Sequence, residues 1–182
     1  MISLLVVRHA LAMDRAEFQN QFADVNDDAA VSDDSRPLTE EGIRKMRKTA
    51  RGYKKIVGRP ELLITSPLKR AAQTAEILTE VWHGIESETC PHLAPGSELS
   101  DFFDWLRNHS RWSEFEAKDV VITLVGHEPD LSRLINELIA DRGEQKLQLR
   151  KGGACLIEIS SDLEPGHGEL VWFLPPRLVR KF

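Results

Sequence analysis

The feature that most constrains this chain is a set of short apolar runs, too brief for helices and carrying β-branched residues. They lie at residues 2–7, 61–65, 120–125, 154–160 and 169–174. The first three read as strands buried in a sheet. Stretches of helical period separate them. Ile43, Met46, Ala50, Tyr53 and Val57 share one face, with Thr39 placed as N-cap and Gly58 as the stop. Leu68, Ala71, Ala72, Ala75 and Thr79 follow Ser66-Pro67, which reads as a cap and a first-turn proline. Leu99, Phe102, Phe103 and Leu106 repeat after Ser97, and Leu131, Leu134, Ile135, Leu138 and Ile139 after Pro129. The segment 10–37 is long for a loop, so it is expected to hold a short helix near Arg15–Phe22. Alternating strands and helices predict an α/β fold. The expected architecture is a three-layer α/β/α sandwich, with a mostly parallel central sheet of about six strands, as one domain over residues 1–182.

Composition excludes several classes of function. No apolar stretch approaches the ~20 residues of a membrane span, and no basic region precedes the first run as in a signal peptide. Cys90 and Cys155 fit no metal spacing and no disulfide framework, so a reducing, cytoplasmic setting is expected. The net charge is −5, and seven acids against Arg36 alone put −6 of it between Asp24 and Glu41. That stretch repels nucleic acid, and Arg177, Arg180 and Lys181 are too few for a binding tail. The acidic stretch follows the first strand. Beside a pocket there, it would draw basic surfaces and repel small polyanions.

In an open α/β sheet, ligands bind beyond the carboxyl ends of the strands. The first strand runs into Arg8-His9, the second into Ser66 with Arg70 one turn on, the third into Gly126-His127-Glu128. Two histidines and two arginines are thus delivered to one edge. Arginine offers a planar fork of donors that matches phosphate oxygens, and a helix start after Ser66 adds backbone N–H groups. A neutral imidazole can attack phosphorus and later leave. A second histidine, held protonated by the phosphate it faces, stabilises developing charge. His9 and His127 lack a third ligand at metal spacing. This inventory fits phosphoryl transfer with no metal and no cofactor. His83, His92, His109 and His167 read as surface residues, and the four tryptophans as core and rim.

These residues also resemble a known family. Leu5-Val6-Val7-Arg8-His9-Ala10 is similar to the strand and RHG signature of the histidine phosphatase superfamily, which has the phosphoglycerate-mutase-like fold. The segment from Ser66-Pro67-Leu68-Lys69-Arg70 to Glu76 resembles that family's second phosphate-binding motif. Val125-Gly126-His127-Glu128 resembles its second histidine motif, and Arg36-Pro37-Leu38-Thr39 its helix-opening segment. The resemblance implies a phosphohistidine intermediate on His9, in a pocket made by Arg8, Arg70 and His127. Ser66 and Glu128 are added as candidate phosphate or substrate contacts. The short chain, Ala10 in place of Gly, and Lys151-Gly152-Gly153 before a strand are similar to the small SixA-like phosphohistidine phosphatases.

Larger members of the family place a Glu between the two later motifs as general acid. Glu98 is the candidate here, with Glu86, Glu88, Asp101 and Glu128 as alternatives. An imidazole leaves with a conjugate-acid pKa near ~6.5, so phosphohistidine needs less proton assistance than an alkyl phosphate. The expected function is hydrolysis of phosphohistidine on a carrier protein or phosphotransfer domain. The alternatives are a phosphomonoesterase for a small phosphate ester, such as a sugar phosphate, and a catalytically silent phosphate-binding module. A mutase is disfavoured because so short a chain has little material for a closed lid.

Overall fold

The computed structural model describes residues 1–22, 32–140 and 147–182. Asp24, Asp27 and Asp28 of the acidic stretch lie outside the described residues. The sheet has six strands: β1 (Ile2–Arg8), β2 (Leu62–Thr65), β3 (Ser87–Thr89), β4 (Val120–Gly126), β5 (Ala154–Ile159) and β6 (Glu169–Leu174). Their order is β3-β2-β4-β1-β5-β6. The β3–β2, β2–β4 and β4–β1 pairs are parallel, and β5 is antiparallel to both β1 and β6. The mixed sheet matches the expected α/β class, with β5 the one reversed strand.

Alternation along β1 shows why the protein has three layers. Leu4 and Val6 belong to one apolar cluster, Leu5 and Val7 to the other, and all four are fully buried. The first cluster is closed by α4 (Leu99–Arg107), α5 (Trp112–Glu116) and α6 (Asp130–Ile139). The second is closed by α2 (Glu40–Val57), α3 (Lys69–Trp82) and the short α7 (Pro176–Val179). Phe102, Phe103 and Leu106 of α4 face one side of the sheet, and Met46, Ala50 and Tyr53 of α2 the other. Among the described residues no helix is long and apolar enough to cross a membrane.

Two helix starts differ from expectation. Thr39 does cap α2, accepting from Gly42 N–H at 2.9 Å. The third helix, however, opens at Lys69 with Leu68 as its N-cap, and Ser66 Oγ accepts from Leu68 N–H while also bonding the His127 ring. α4 is preceded by Glu98, not Ser97. His109 is a further correction. It is not a surface residue but lies against Trp105 and Phe115, bonded to Glu88 at 3.0 Å.

After β1 the chain leaves the sheet, forms α1 (Arg15–Phe22) as expected, and returns through a 3-10 turn at Asp33–Ser35. The base of this excursion is closed by a bridge between Ala12 and Leu38, with Met13 N–H donating to Pro37 and Thr39 N–H to Leu11. Gly42 permits the closure, since a Cβ there would lie 2.1 Å from the Leu11 carbonyl oxygen.

Candidate active site

The carboxyl ends of β1, β2 and β4 open into a cleft of about 690 Å³ that holds Arg8, His9, Arg70, His127 and Glu128. Strand pairing sets the two histidines side by side. Arg8 is opposite Gly126 in the parallel ladder, and His9 N–H donates to the Gly126 carbonyl at 3.0 Å. The rings of His9 and His127 lie 5.0 Å apart between centroids. Both are buried, at 6% and 3% exposure, as is Arg70 at 5%.

The hydrogen bonds define which nitrogen of each ring is free. His9 Nδ1 is 2.8 Å from the Ala10 carbonyl oxygen. A carbonyl only accepts, so Nδ1 carries the proton and Nε2 keeps its lone pair. His127 Nε2 is 2.8 Å from Ser66 Oγ, which also accepts from Leu68 N–H. Where the Ser66 hydroxyl donates to Nε2, the neutral ring carries its own proton on Nδ1. His127 Nδ1, Arg8 Nε and Arg70 Nε are all buried without a hydrogen-bond partner. Buried donors are almost always paired, so three unpaired ones on side chains lining one cleft mark a place built for an anion.

The neighbouring residues fix these groups in place. Arg8 Nη1 donates to the Leu149 carbonyl at 2.7 Å. The left-handed Gly152 (φ 73°) donates to both the Arg8 and His9 carbonyls, at 3.0 and 3.1 Å. Thr74 Oγ1 accepts from Ala10 N–H at 3.0 Å and donates to the Arg70 carbonyl, coupling the first helical turn to the end of β1.

Sequence reasoning missed the role of the excursion. Asp33 Oδ1 accepts from Arg36 Nε at 2.8 Å and from Arg15 Nε at 3.2 Å. Its backbone carbonyl accepts from Arg70 Nη1 at 2.9 Å, and Oδ2 lies 3.3 Å from the same nitrogen. The Arg36 hydrogen bond, and then the charges of Arg36, Arg70 and Arg15, hold the Asp33 carboxyl below its usual range against partial burial. Lys151 also lines the cleft. The Arg36-Pro37 and Lys151-Gly152-Gly153 motifs were the available signals, but neither discloses which way its side chain turns.

Of the remaining sequence candidates, one backs His127, one lines the cleft and one lies outside it. Ser66 is fully buried behind His127 and bonds to its ring. Glu128 lines the cleft, yet Oε1 accepts from Leu149 N–H at 2.7 Å and Oε2 from the Ser132 hydroxyl at 2.6 Å. Its oxygens serve as acceptors, so it orders the Leu149 segment that grips Arg8. Glu98 is exposed at the start of α4 and is not among the residues lining the cleft.

Burial is the main reason His9 titrates far below 6.5, at about 3. Arg70, Arg8 and Lys151 push the same way, against the hydrogen bond to Ala10. His127 is likewise lowered to about 3 by burial, then by His9, Arg70 and Arg8. In the protein alone both rings are therefore neutral, whereas the sequence reading has His127 protonated by a phosphate. The unfolded chain binds more protons between pH 6.5 and 3, so this contribution to stability is complete above 6.5 and is lost as pH falls toward 3. Each ring adds a slope of up to about 1.4 kcal/mol per pH unit in that window. Denaturant unfolding across this range is expected to show a shallower acid loss for His127→Gln than for the parent protein. Parallel slopes would contradict the neutral state.

Comparison with known proteins bears on the family and the fold. The model of the histidine phosphatase superfamily (branch 1) matches residues 4–95. An uncharacterised protein of Picosynechococcus sp. is 33% identical over 152 residues, 84% of this chain and 82% of that protein. Among solved structures, the protein histidine phosphatase SixA complexed with tungstate superposes with a TM-score of 0.75. It is 20% identical, and the match covers 97% of this chain and 99% of that one. The α-ribazole phosphatase of Shigella flexneri gives a TM-score of 0.63 at 18% identity, with 96% of both chains covered. The chain belongs to the histidine phosphatase superfamily, and it is a phosphatase by that membership.

Proposed function

We propose that this phosphatase hydrolyses phosphohistidine on proteins, through a phosphohistidine intermediate on His9. The observation that carries the reading is a neutral His9, with Nε2 unencumbered, beside the unpaired buried donors of Arg8, Arg70 and His127. Nε2 attacks phosphorus, the substrate's P–N bond breaks, and its electron pair leaves on the substrate imidazole, which takes a proton from solvent. Water then attacks phosphorus, the P–Nε2 bond breaks, and inorganic phosphate departs. Arg8 and Arg70 bind the non-transferring oxygens. His127 donates from Nδ1, and a phosphate dianion against it favours its protonated form. Ser66 and Thr74 act as positioning residues.

The choice of leaving group follows from the carboxylates of the cleft. Asp33 is committed to arginines, and Glu128 to the Leu149 N–H and the Ser132 hydroxyl. Asp34, the third carboxyl that lines the cleft, is exposed at its rim, and an imidazole leaving group needs a proton donor far less than an alkoxide does. The fold shared with SixA, named a protein histidine phosphatase, supports the same substrate, and the unpaired buried thiols of Cys90 and Cys155 suit a cytosolic setting. General acids contribute roughly 100-fold or more where they act. A phosphohistidine carrier protein and p-nitrophenyl phosphate are therefore expected to exceed serine and sugar phosphates in kcat/KM by about that factor. A sugar phosphate cleaved as well as phosphohistidine would establish the small-molecule phosphatase reading instead.

A further inference from the structure

A second cleft, of about 210 Å³, adjoins the first. Ala10, the residue after the proposed nucleophile, forms part of its wall, and Lys151 lines both clefts. Its other charged residues are Lys45 of α2 and Arg180 just past α7, and no Asp or Glu is among its lining residues. Lys45 shares its charge with Glu41 across 2.6 Å at the half-exposed rim. Among the described residues Lys151 and Arg180 make no ion pair, and the Arg180 side chain has only a long 3.5 Å contact with Thr49 Oγ1.

This arrangement is built rather than incidental. Val179 is fully buried and packs with the α2 side of the core, so the chain end is folded against α2. A Cβ on Gly52 would sit 2.1 Å from the Val179 carbonyl oxygen, which shows how closely α7 and α2 approach. Arg180 follows directly and is held beside Thr49. Lys151 is fixed by Gly152, whose N–H bonds to Arg8 and His9 and whose carbonyl accepts from the Tyr53 hydroxyl at 2.9 Å. The sequence reading discounts Arg180 as part of a tail too sparse to bind anything, but the fold brings it within the same cleft as Lys151.

We infer that Lys151 and Arg180, with Lys45 at the rim, form a second anion subsite that recognises a carboxylate or phosphate on the same molecule as the phosphoryl group being removed. The substrate class is thus a phosphoryl compound with an additional anionic group close by, which is an acidic side chain beside phosphohistidine or a second acid group on a small metabolite. This rests on the His9 cleft being where the phosphoryl group binds.

Non-hydrolysable ligands test it apart from catalysis. Calorimetric Kd values are measured for methylphosphonate against phosphonoacetate. A second pair uses peptides bearing a phosphohistidine-mimicking phosphonate followed by Asn or by Asp. One hydrogen bond to a charged group is worth about tenfold in affinity. The doubly anionic member of at least one pair is expected to bind about tenfold more tightly, and Arg180→Ala to bring that ratio near one. Preference in the peptide pair alone assigns the anion to protein substrates, and in the phosphonate pair alone to metabolites. Equal Kd values within both pairs in the native protein, or a ratio that Arg180→Ala leaves unchanged, would overturn the subsite. Lys45→Ala, on the exposed face of α2, serves as the second variant if Arg180→Ala does not fold. Hydrolysis of p-nitrophenyl phosphate by the same native preparation reports separately on the catalytic reading.

Discussion

Replacing His9 with Ala is expected to abolish turnover and the covalent intermediate together. His9 presents its Nε2 lone pair because Nδ1–H is held by the Ala10 carbonyl, and burial keeps the ring neutral. Alanine offers no nucleophile, and no other neutral imidazole sits so placed, since His127 Nε2 is occupied by Ser66. Loss of a covalent nucleophile costs about 10⁴-fold or more in kcat. The native protein, quenched during turnover, is expected to carry phosphate that survives alkali and is released by acid, as a phosphoramidate does. His9→Ala should carry none. Retention of more than a few per cent of native activity would rule out the covalent route.

Arg70→Ala should produce the next largest loss. Its guanidinium has one nitrogen on Asp33 and a buried Nε with no partner, inside a site largely screened from water. Removing one preorganised donor to a developing phosphoryl charge costs about 10²–10³-fold in kcat/KM. Asp33 would also lose one of its arginines, so the rim of the cleft should loosen. Arg70→Lys keeps the charge but not the planar fork, and should recover only part of the loss. Equal activity of Arg70→Ala and the parent protein on p-nitrophenyl phosphate would remove Arg70 from the mechanism.

The central strands were legible because burial on both faces leaves a continuous apolar signal, as in Leu4 to Val7. β3 was not, since Ser87, Glu88 and Thr89 are exposed and carry no apolar pattern. α5 and α7 are only five and four residues long, too short for a helical period to register. The four residues of the cleft centre could be placed because each lies at or just beyond a strand end, where topology fixes position. Asp33, Arg36 and Lys151 reach the cleft from the excursion and the loop before β5, and nothing in a loop's local sequence tells which way it folds back. Ser66 illustrates a different limit. Its spacing suits a helix cap, yet its hydroxyl both accepts from Leu68 N–H just before the helix and bonds the buried His127 imidazole.

The 5.0 Å between the His9 and His127 rings is close to the ~4.8 Å that separates any two neighbouring strands. Both rings follow ladder-paired positions, Arg8 and Gly126, so this separation is a gauge supplied by the main chain. Such a gauge does not depend on which side chains fill the layers above and below it. Apolar residues of similar volume can replace one another there at modest cost, and the two imidazoles keep their distance. That is how a chain sharing 20% of its residues with SixA can retain a TM-score of 0.75 over nearly its whole length. Divergence is thereby channelled into the padding, and redesign of either apolar layer should leave the distance between the imidazoles unaltered.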